Sequence, residues 1–250
     1  MHRLERSGQR PAVVCIHGYC QSSTYWAPTV ERVAHHGGHA LAVDLPGFAG
    51  SASLPGPYTM EAFADAVAAL LDERGLAPAV LVGGSMGGVV AQHVALRHPA
   101  SLQRLLLVAT GAYTADPAGA LARTDRLAAG RWDEEAVRPI VTGFFRTSPP
   151  PERMAEYVRI ARAASHTAAV EAARSNAGNH VLERLGEIRV PTLIIQGRHD
   201  TARTVAHGEE MRARLVDARL EVLEHSGHTP QLEEPDAFHQ LALPFLLAGR

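Results

Sequence analysis

Short apolar runs alternate with longer stretches whose apolar residues recur every three to four positions, which predicts β-strands and amphipathic helices in turn. The strands are expected at Ala12–Ile16, Ala40–Val43, Ala79–Val82, Leu105–Ala109, Thr192–Ile195 and Leu220–Leu223. Helices are expected at Thr24–His36, from Thr59 to about Arg74, at Met86–His98, at Val205–Leu215 and from about Pro235 to Leu247. In the second of these Thr59 can cap, and Phe63, Val67, Leu70 and Leu71 share one face. Most of the strands are apolar at nearly every position, as expected when both faces of a sheet are covered. Strand and helix in alternation predict an α/β fold with a mostly parallel sheet and helices on both faces.

The rhythm stops after Tyr113. From Asp116 to Gly186 the pattern is helical and contains no good strand, with breakers at Gly130, Pro139 and Pro149-Pro150-Pro151. An inserted helical cap over residues 113–186 follows, with residues 1–112 and 187–250 forming the α/β core. The 250 residues fit one large domain carrying such an insertion.

The strand at Ala79 runs into Gly83-Gly84-Ser85-Met86-Gly87 and then a helix. A G-x-S-x-G turn from strand to helix forces the serine into a strained backbone and exposes its hydroxyl at the sheet edge. The N–H of Met86 opens the helix without an intrahelical partner and is free to meet an oxyanion. Other readings of these glycines fail on residue identity: a dinucleotide fingerprint needs glycine where Ser85 stands, and a phosphate loop needs a Gly-Lys-Ser/Thr ending. The chain has no lysine, its 24 basic residues all being arginine, so lysine Schiff-base chemistry is excluded.

A serine hydroxyl needs a base, and the base needs a carboxylate to fix its tautomer. Residues that follow parallel strands meet at one edge of the sheet. Asp200 follows the Thr192 strand and His228 follows the Leu220 strand, so both are candidates to join Ser85. His225 and His199 are rival bases, and Asp116 is the rival acid. Gly18, after the Ala12 strand, lets the backbone turn so that the Tyr19 N–H joins that of Met86 as an oxyanion donor. His17 is expected to pin that loop, and Asp44 to order the turn after its own strand through backbone hydrogen bonds.

Charge and composition remove other classes. A formal net charge of -2 gives no basic footprint for nucleic acid, and no apolar run approaches a membrane span. A cytoplasmic monomer or homodimer acting on a small molecule is expected. Neither a cofactor nor a metal is expected, the His35-His36…His39 cluster reading as a solvated helix end. Cys15 and Cys20 are expected to be free thiols.

His17-Gly18, Asp44-Leu45-Pro46-Gly47, Gly83 to Gly87, Gly197 to Asp200 and Gly227-His228 together resemble the successive landmarks of the α/β-hydrolase superfamily. The likeness is to its small capped bacterial esterases, lactonases, cofactor-free haloperoxidases and C–C bond hydrolases. It implies a sheet of about eight strands, or seven, since few residues precede the first apolar strand. It also implies a Ser85–His228–Asp200 triad with Tyr19 and Met86 as oxyanion donors. The expected activity is cleavage of an ester, lactone or thioester through an acyl-enzyme, with C–C hydrolysis of a vinylogous diketone, or a non-hydrolytic binding protein or cyclase, as alternatives. Aromatic residues expected to contact substrate are Trp26, Trp132, Phe144 and Tyr157, and cap arginines such as Arg123, Arg126, Arg159 and Arg162 are possible carboxylate anchors.

Overall fold

A computed structural model describes residues 1–249. Its strands are β1 (Arg3–Arg6), β2 (Gln9–Ile16), β3 (Gly38–Val43), β4 (Ala79–Gly84), β5 (Leu102–Val108), β6 (Thr192–Gly197) and β7 (Ala218–Leu223). They form one seven-stranded sheet in the order β1-β3-β2-β4-β5-β6-β7. All neighbours run parallel except β1, which pairs antiparallel with β3. Among the described residues the sheet has seven strands and not eight, and β1 is a single short strand at its edge. That strand, Arg-Leu-Glu-Arg, is too polar to announce itself in the sequence.

Period-two alternation sorts the strand side chains into two cores. Val14, Ile16, Leu81, Leu105 and Leu107 face one layer, while Val13, Cys15, Val80, Val82 and Leu106 face the other. The first layer is closed by α2 (Met60–Glu73), α3 (Met86–Arg97) and α8 (Val205–Arg214), and the second by α1 (Ala27–His35) and α10 (Pro235–Leu246). Each fully buried Val or Leu contributes about 1.5–3 kcal/mol, so this two-sided burial dominates the stability. Helix α1 starts at Ala27, later than its apolar pattern suggests. Ser22 caps a separate short turn over Ser23–Trp26, and Pro28 is accommodated in the first turn of the helix that follows.

Between β5 and β6 lie α4 (Pro117–Ala129), α5 (Glu134–Thr142), α6 (Pro151–Arg162) and α7 (His166–Ala177). Asp116, Asp133 and Ser165 cap α4, α5 and α7 by accepting from the backbone N–H groups of Gly119, Ala136 and Ala168. Pro139 does not break the chain: it sits inside α5, close to the end of a short helix. Helices α5 and α6 fold over the loop after β2, burying Val137, Val141, Met154 and Tyr157 around Cys20 and Tyr25. No helix among the described residues is long and apolar enough to cross a membrane.

The chain order reverses about β2, which has β3 on one side and β4 on the other. At such a switch point the loops leaving adjacent strands part and open a crevice at the carboxyl ends. The loops after β2 and β4 flank that crevice. They carry Gly18-Tyr19 and Ser85.

Candidate active site

Ser85 stands between β4 and α3 with φ 50° and ψ −119°, a conformation that L-residues avoid and that persists only where the surroundings enforce it. They do so on both sides. The Ser85 N–H donates to the Val108 carbonyl at 2.9 Å, and its carbonyl accepts from the Thr110 hydroxyl at 2.7 Å and the Gly88 N–H at 2.9 Å. The glycines are required by close packing. A Cβ on Gly83 would stand 2.4 Å from the Gly87 carbonyl oxygen, and one on Gly87 would stand 2.3 Å from that of Ile16.

The hydroxyl of Ser85 lies 2.8 Å from Nε2 of His228, and Nδ1 of His228 lies 2.6 Å from Oδ2 of Asp200. Asp200 is 4% and His228 8% exposed, so this chain of hydrogen bonds is shielded from water. The other carboxylate oxygen, Oδ1, accepts from the backbone N–H groups of Ala202 at 2.8 Å and Arg203 at 2.9 Å. Asp200 is thereby held in one rotamer. With a carboxylate on Nδ1, the imidazole presents Nε2 as the acceptor for the serine proton.

The loops carrying Asp200 and His228 are packed backbone against backbone. A Cβ on Gly197 would meet the Gly227 carbonyl oxygen at 2.1 Å, and the His199 N–H donates to the Ser226 carbonyl at 2.9 Å. Two glutamates clamp the histidine loop from α9 (Pro230–Glu233) and the residue after it. Glu233 Oε2 accepts from the N–H groups of Gly227 and Thr229 at 3.0 and 3.1 Å, and Glu234 Oε2 from those of His225 at 2.9 Å and the Ser226 hydroxyl at 2.5 Å. Glu233 Oε1 also accepts from the Arg146 N–H at 2.7 Å, tying the loop to the segment after α5. Neither glutamate is marked by the sequence reading. The Glu-Glu pair a few residues after the histidine was its only signal.

None of the rival residues joins this hydrogen-bonded chain. His225 and His199 are exposed, and Asp116 is the exposed cap of α4. His17 is fully buried, accepting from the Leu45 N–H at Nε2 (3.0 Å) and donating from Nδ1 to the Gly18 carbonyl (2.7 Å). Burial holds its pKa below the ordinary value, and the two bonds fix one neutral tautomer that pins the loop. Asp44 accepts from the Ser23 and Gly50 N–H groups at 2.6 and 3.0 Å and meets the His2 ring at 2.6 Å. A Cβ on Gly18 would stand 3.2 Å from that of Ser85, so the Tyr19 peptide passes beside the serine. Among the described residues neither the Tyr19 N–H nor the Met86 N–H donates to another backbone group.

A cavity of about 530 Å³ opens onto Ser85 and His228. Tyr19, Ile140, Phe144, Leu127, Ala177 and Arg203 are among its walls, with Asp116 and Arg123 also lining it. Of the aromatic residues expected there, Phe144 takes its place, its ring 6.1 Å from that of His228. Trp26 does not. It is fully buried beneath the sheet edge, donating from Nε1 to the Ile16 carbonyl at 3.1 Å, because the turn over Ser23–Trp26 directs it into the core beside Phe238. Tyr157 packs between Tyr25 and Phe145 in the core of α5 and α6, and Trp132 stacks on His166 at 5.7 Å. Neither lines this cavity. Arg126, Arg159 and Arg162 are exposed, leaving Arg123 as the one of the four named cap arginines that borders it. Cys15 and Cys20 are buried free thiols whose pKa values are raised by burial, which makes them inert.

Residues 11–235 match the model of the alpha/beta hydrolase fold family. The chain is 34% identical over 217 residues to a pimeloyl-(acyl-carrier protein) methyl ester esterase of Neisseria meningitidis, covering 82% of this chain and 67% of that one. It is 29% identical over 261 residues to a 2-hydroxy-6-oxo-6-phenylhexa-2,4-dienoate hydrolase of Burkholderia cepacia, covering 98% and 91%. The crystal structure of the enol-lactonase from Burkholderia xenovorans LB400 superimposes with a TM-score of 0.90 at 26% identity, covering 98% of this chain and 95% of that one. With its family match spanning most of the sequence and a serine turn on a seven-stranded, mostly parallel sheet, the chain is a hydrolase-fold protein belonging to the alpha/beta hydrolase family.

Proposed function

We propose that this protein is a serine hydrolase that cleaves a carboxylic ester or lactone, or a thioester, of a small organic substrate through an acyl-enzyme. Ser85 attacks the carbonyl carbon while His228 accepts the Ser85 proton, and Asp200 orients and stabilises the resulting imidazolium. The Tyr19 and Met86 N–H groups receive the oxyanion, each such donor contributing about 3 kcal/mol to the transition state. His228 returns the proton to the departing alcohol or thiol. It then takes a proton from water, whose oxygen attacks the acyl carbon, and hands that proton to the Ser85 oxygen as the acid is released.

The observation that carries this reading is the continuous hydrogen-bonded path from the strained Ser85 through His228 to Asp200, with bonds of 2.8 and 2.6 Å. The helices of residues 113–186 act as a cap, and the cavity beneath them receives the substrate. The names of the esterase and enol-lactonase relatives support acyl transfer as the reaction class. The test is labelling with a fluorophosphonate, mapping of the modified peptide by mass spectrometry, and a screen of p-nitrophenyl esters, lactones and thioesters. Labelling at Ser85 that is lost in Ser85→Ala is expected. A folded protein that stays unlabelled refutes the nucleophile.

The likeness over nearly the full chain to a dienoate hydrolase favours one second reading, C–C cleavage of a vinylogous diketone by the same three residues after ketonisation. Turnover of such a diketone with none on esters would select it.

A further inference from the structure

Resting on that reading of the site, we propose that Arg203 is its specificity-determining residue, and that the substrate is an ester or lactone bearing a carboxylate that Arg203 binds. Arg203 is 9% exposed and lines the cavity onto which Ser85 and His228 open. Its backbone is locked to the acid of the triad, since its N–H donates to Asp200 Oδ1 at 2.9 Å. A guanidinium offers five N–H donors in a planar fork. The hydrogen bond this one makes to protein runs from a terminal nitrogen to the Tyr113 carbonyl at 2.9 Å.

No side-chain carboxylate among the described residues forms an ion pair with Arg203, although Asp200 is near enough to favour its charge. Asp200 is already committed to His228 and to two backbone N–H groups. Glu210, on α8, raises the pKa of the Tyr113 hydroxyl and makes no ion pair with Arg203. Burial opposes the charge of Arg203, but a guanidinium stays protonated in proteins, so the fold carries a desolvated cation without a full counter-charge.

The remaining charges along the cavity nearly cancel. Asp116 and Arg123 face one another at 3.9 Å, both well exposed. Helix α8 begins at Val205, close behind Arg203, and its N-terminal end adds partial positive charge on the same side. Of the charged side chains lining the cavity, Arg203 is therefore the one whose charge has no ion-pair partner; Asp200 is not part of that lining and directs its carboxylate to His228 and two backbone N–H groups. A neutral amide or carbonyl would occupy some of the free donors but leave that charge unpaired. A carboxylate meets both needs, taking two parallel N–H bonds. Leu127, Ile140, Phe144 and Ala177 give the apolar wall that an aliphatic chain between carboxylate and scissile carbonyl requires.

The experiment compares kcat/KM for monomethyl esters of α,ω-dicarboxylic acids, from succinate to suberate, with neutral methyl alkanoates of the same length. Wild type, Arg203→Gln and Arg203→Lys are assayed at low and high ionic strength. At the best chain length the wild type is expected to prefer the monoanion by about tenfold or more, the scale of one charged hydrogen-bonded contact. Arg203→Gln should bring that ratio close to one, chiefly through KM for the anion, and Arg203→Lys should restore part of it. The free dicarboxylates should also slow fluorophosphonate labelling of wild-type Ser85 more than that of Arg203→Gln. Turnover of neutral esters without any anion preference overturns the proposal and leaves the serine-hydrolase reading standing. Equal loss on both substrate classes in Arg203→Gln also overturns it, since that is the signature of mere support for the Asp200 loop. No turnover of either class, with Ser85 unlabelled, overturns both.

Discussion

Replacing Asp200 by asparagine tests the proposed catalytic array most directly, because the surroundings dictate how the new amide must sit. Oδ1 of Asp200 accepts two backbone N–H groups, from Ala202 and Arg203, at 2.8 and 2.9 Å. The asparagine oxygen must take that place, since the amide NH2 there would face two donors and forfeit both bonds. The NH2 is then left pointing at Nδ1 of His228, now 2.6 Å from a carboxylate oxygen. Nδ1 becomes an acceptor, the proton moves to Nε2, and Nε2 can no longer accept from Ser85. A base held in the wrong tautomer lowers turnover by about 10⁴-fold, or about 5 kcal/mol of transition-state stabilisation. The assay is kcat on a p-nitrophenyl ester together with the rate of fluorophosphonate labelling, with far-UV circular dichroism as the check on folding. Asp116→Asn serves as the comparison for the rival acid, because Asp116 borders the cavity but is an exposed helix cap without a bond to His228. A loss of less than about tenfold in Asp200→Asn, or an equal loss in Asp116→Asn, would refute the reasoning.

Glu233→Gln should loosen the histidine loop. In either orientation of the new amide its NH2 faces a backbone N–H that the carboxylate now accepts, a cost of about 2 kcal/mol seen in urea unfolding together with a lower kcat. Gly87→Ala should destabilise the fold by about 3 kcal/mol, because the added Cβ would stand 2.3 Å from the Ile16 carbonyl oxygen and 2.5 Å from that of His17, both backbone atoms; an unchanged unfolding midpoint would count against the elbow packing. Stability should also fall with acid. His17, His207 and His239 all have pKa values lowered, with burial the largest cause, so the unfolded chain takes up protons first. Their contribution is whole above the unfolded value near 6.5 and is lost as the pH drops below it, and a urea midpoint that stays flat from pH 7.5 to 5.5 would contradict this.

Local pattern sufficed wherever structure is made locally. The apolar runs of β2 to β6 and the helix opened by Met86 are set by periodicity, and the Ser85 turn by five adjacent residues. The chain order of Ser85, Asp200 and His228 was legible for a related reason: in a parallel sheet every strand ends on the same edge, so position after a strand already implies proximity. β1 was not legible. Its polar residues pair at an exposed edge and bury no alternating face, so no periodic signal exists.

Beyond that point tertiary packing decides. Phe144, Trp26 and Tyr157 have similar chemistry in sequence, yet only Phe144 borders the cavity, because the direction of each ring depends on how α5, α6 and the loop after β2 fold over one another. Glu233 and Glu234 look like the polar end of a short helix until the histidine loop is seen to hang from them. Arg203 reads as one arginine among 24. Only the burial imposed by the loops after β5 and β6 shows that it carries a charge without a full partner inside the cavity. The sequence alone determined the fold class and the three residues that meet at the sheet edge, since backbone hydrogen bonding and strand order are local or topological. Which side chains surround them, and with what net charge, was decided by long-range packing, where residues distant in the chain share one desolvated space.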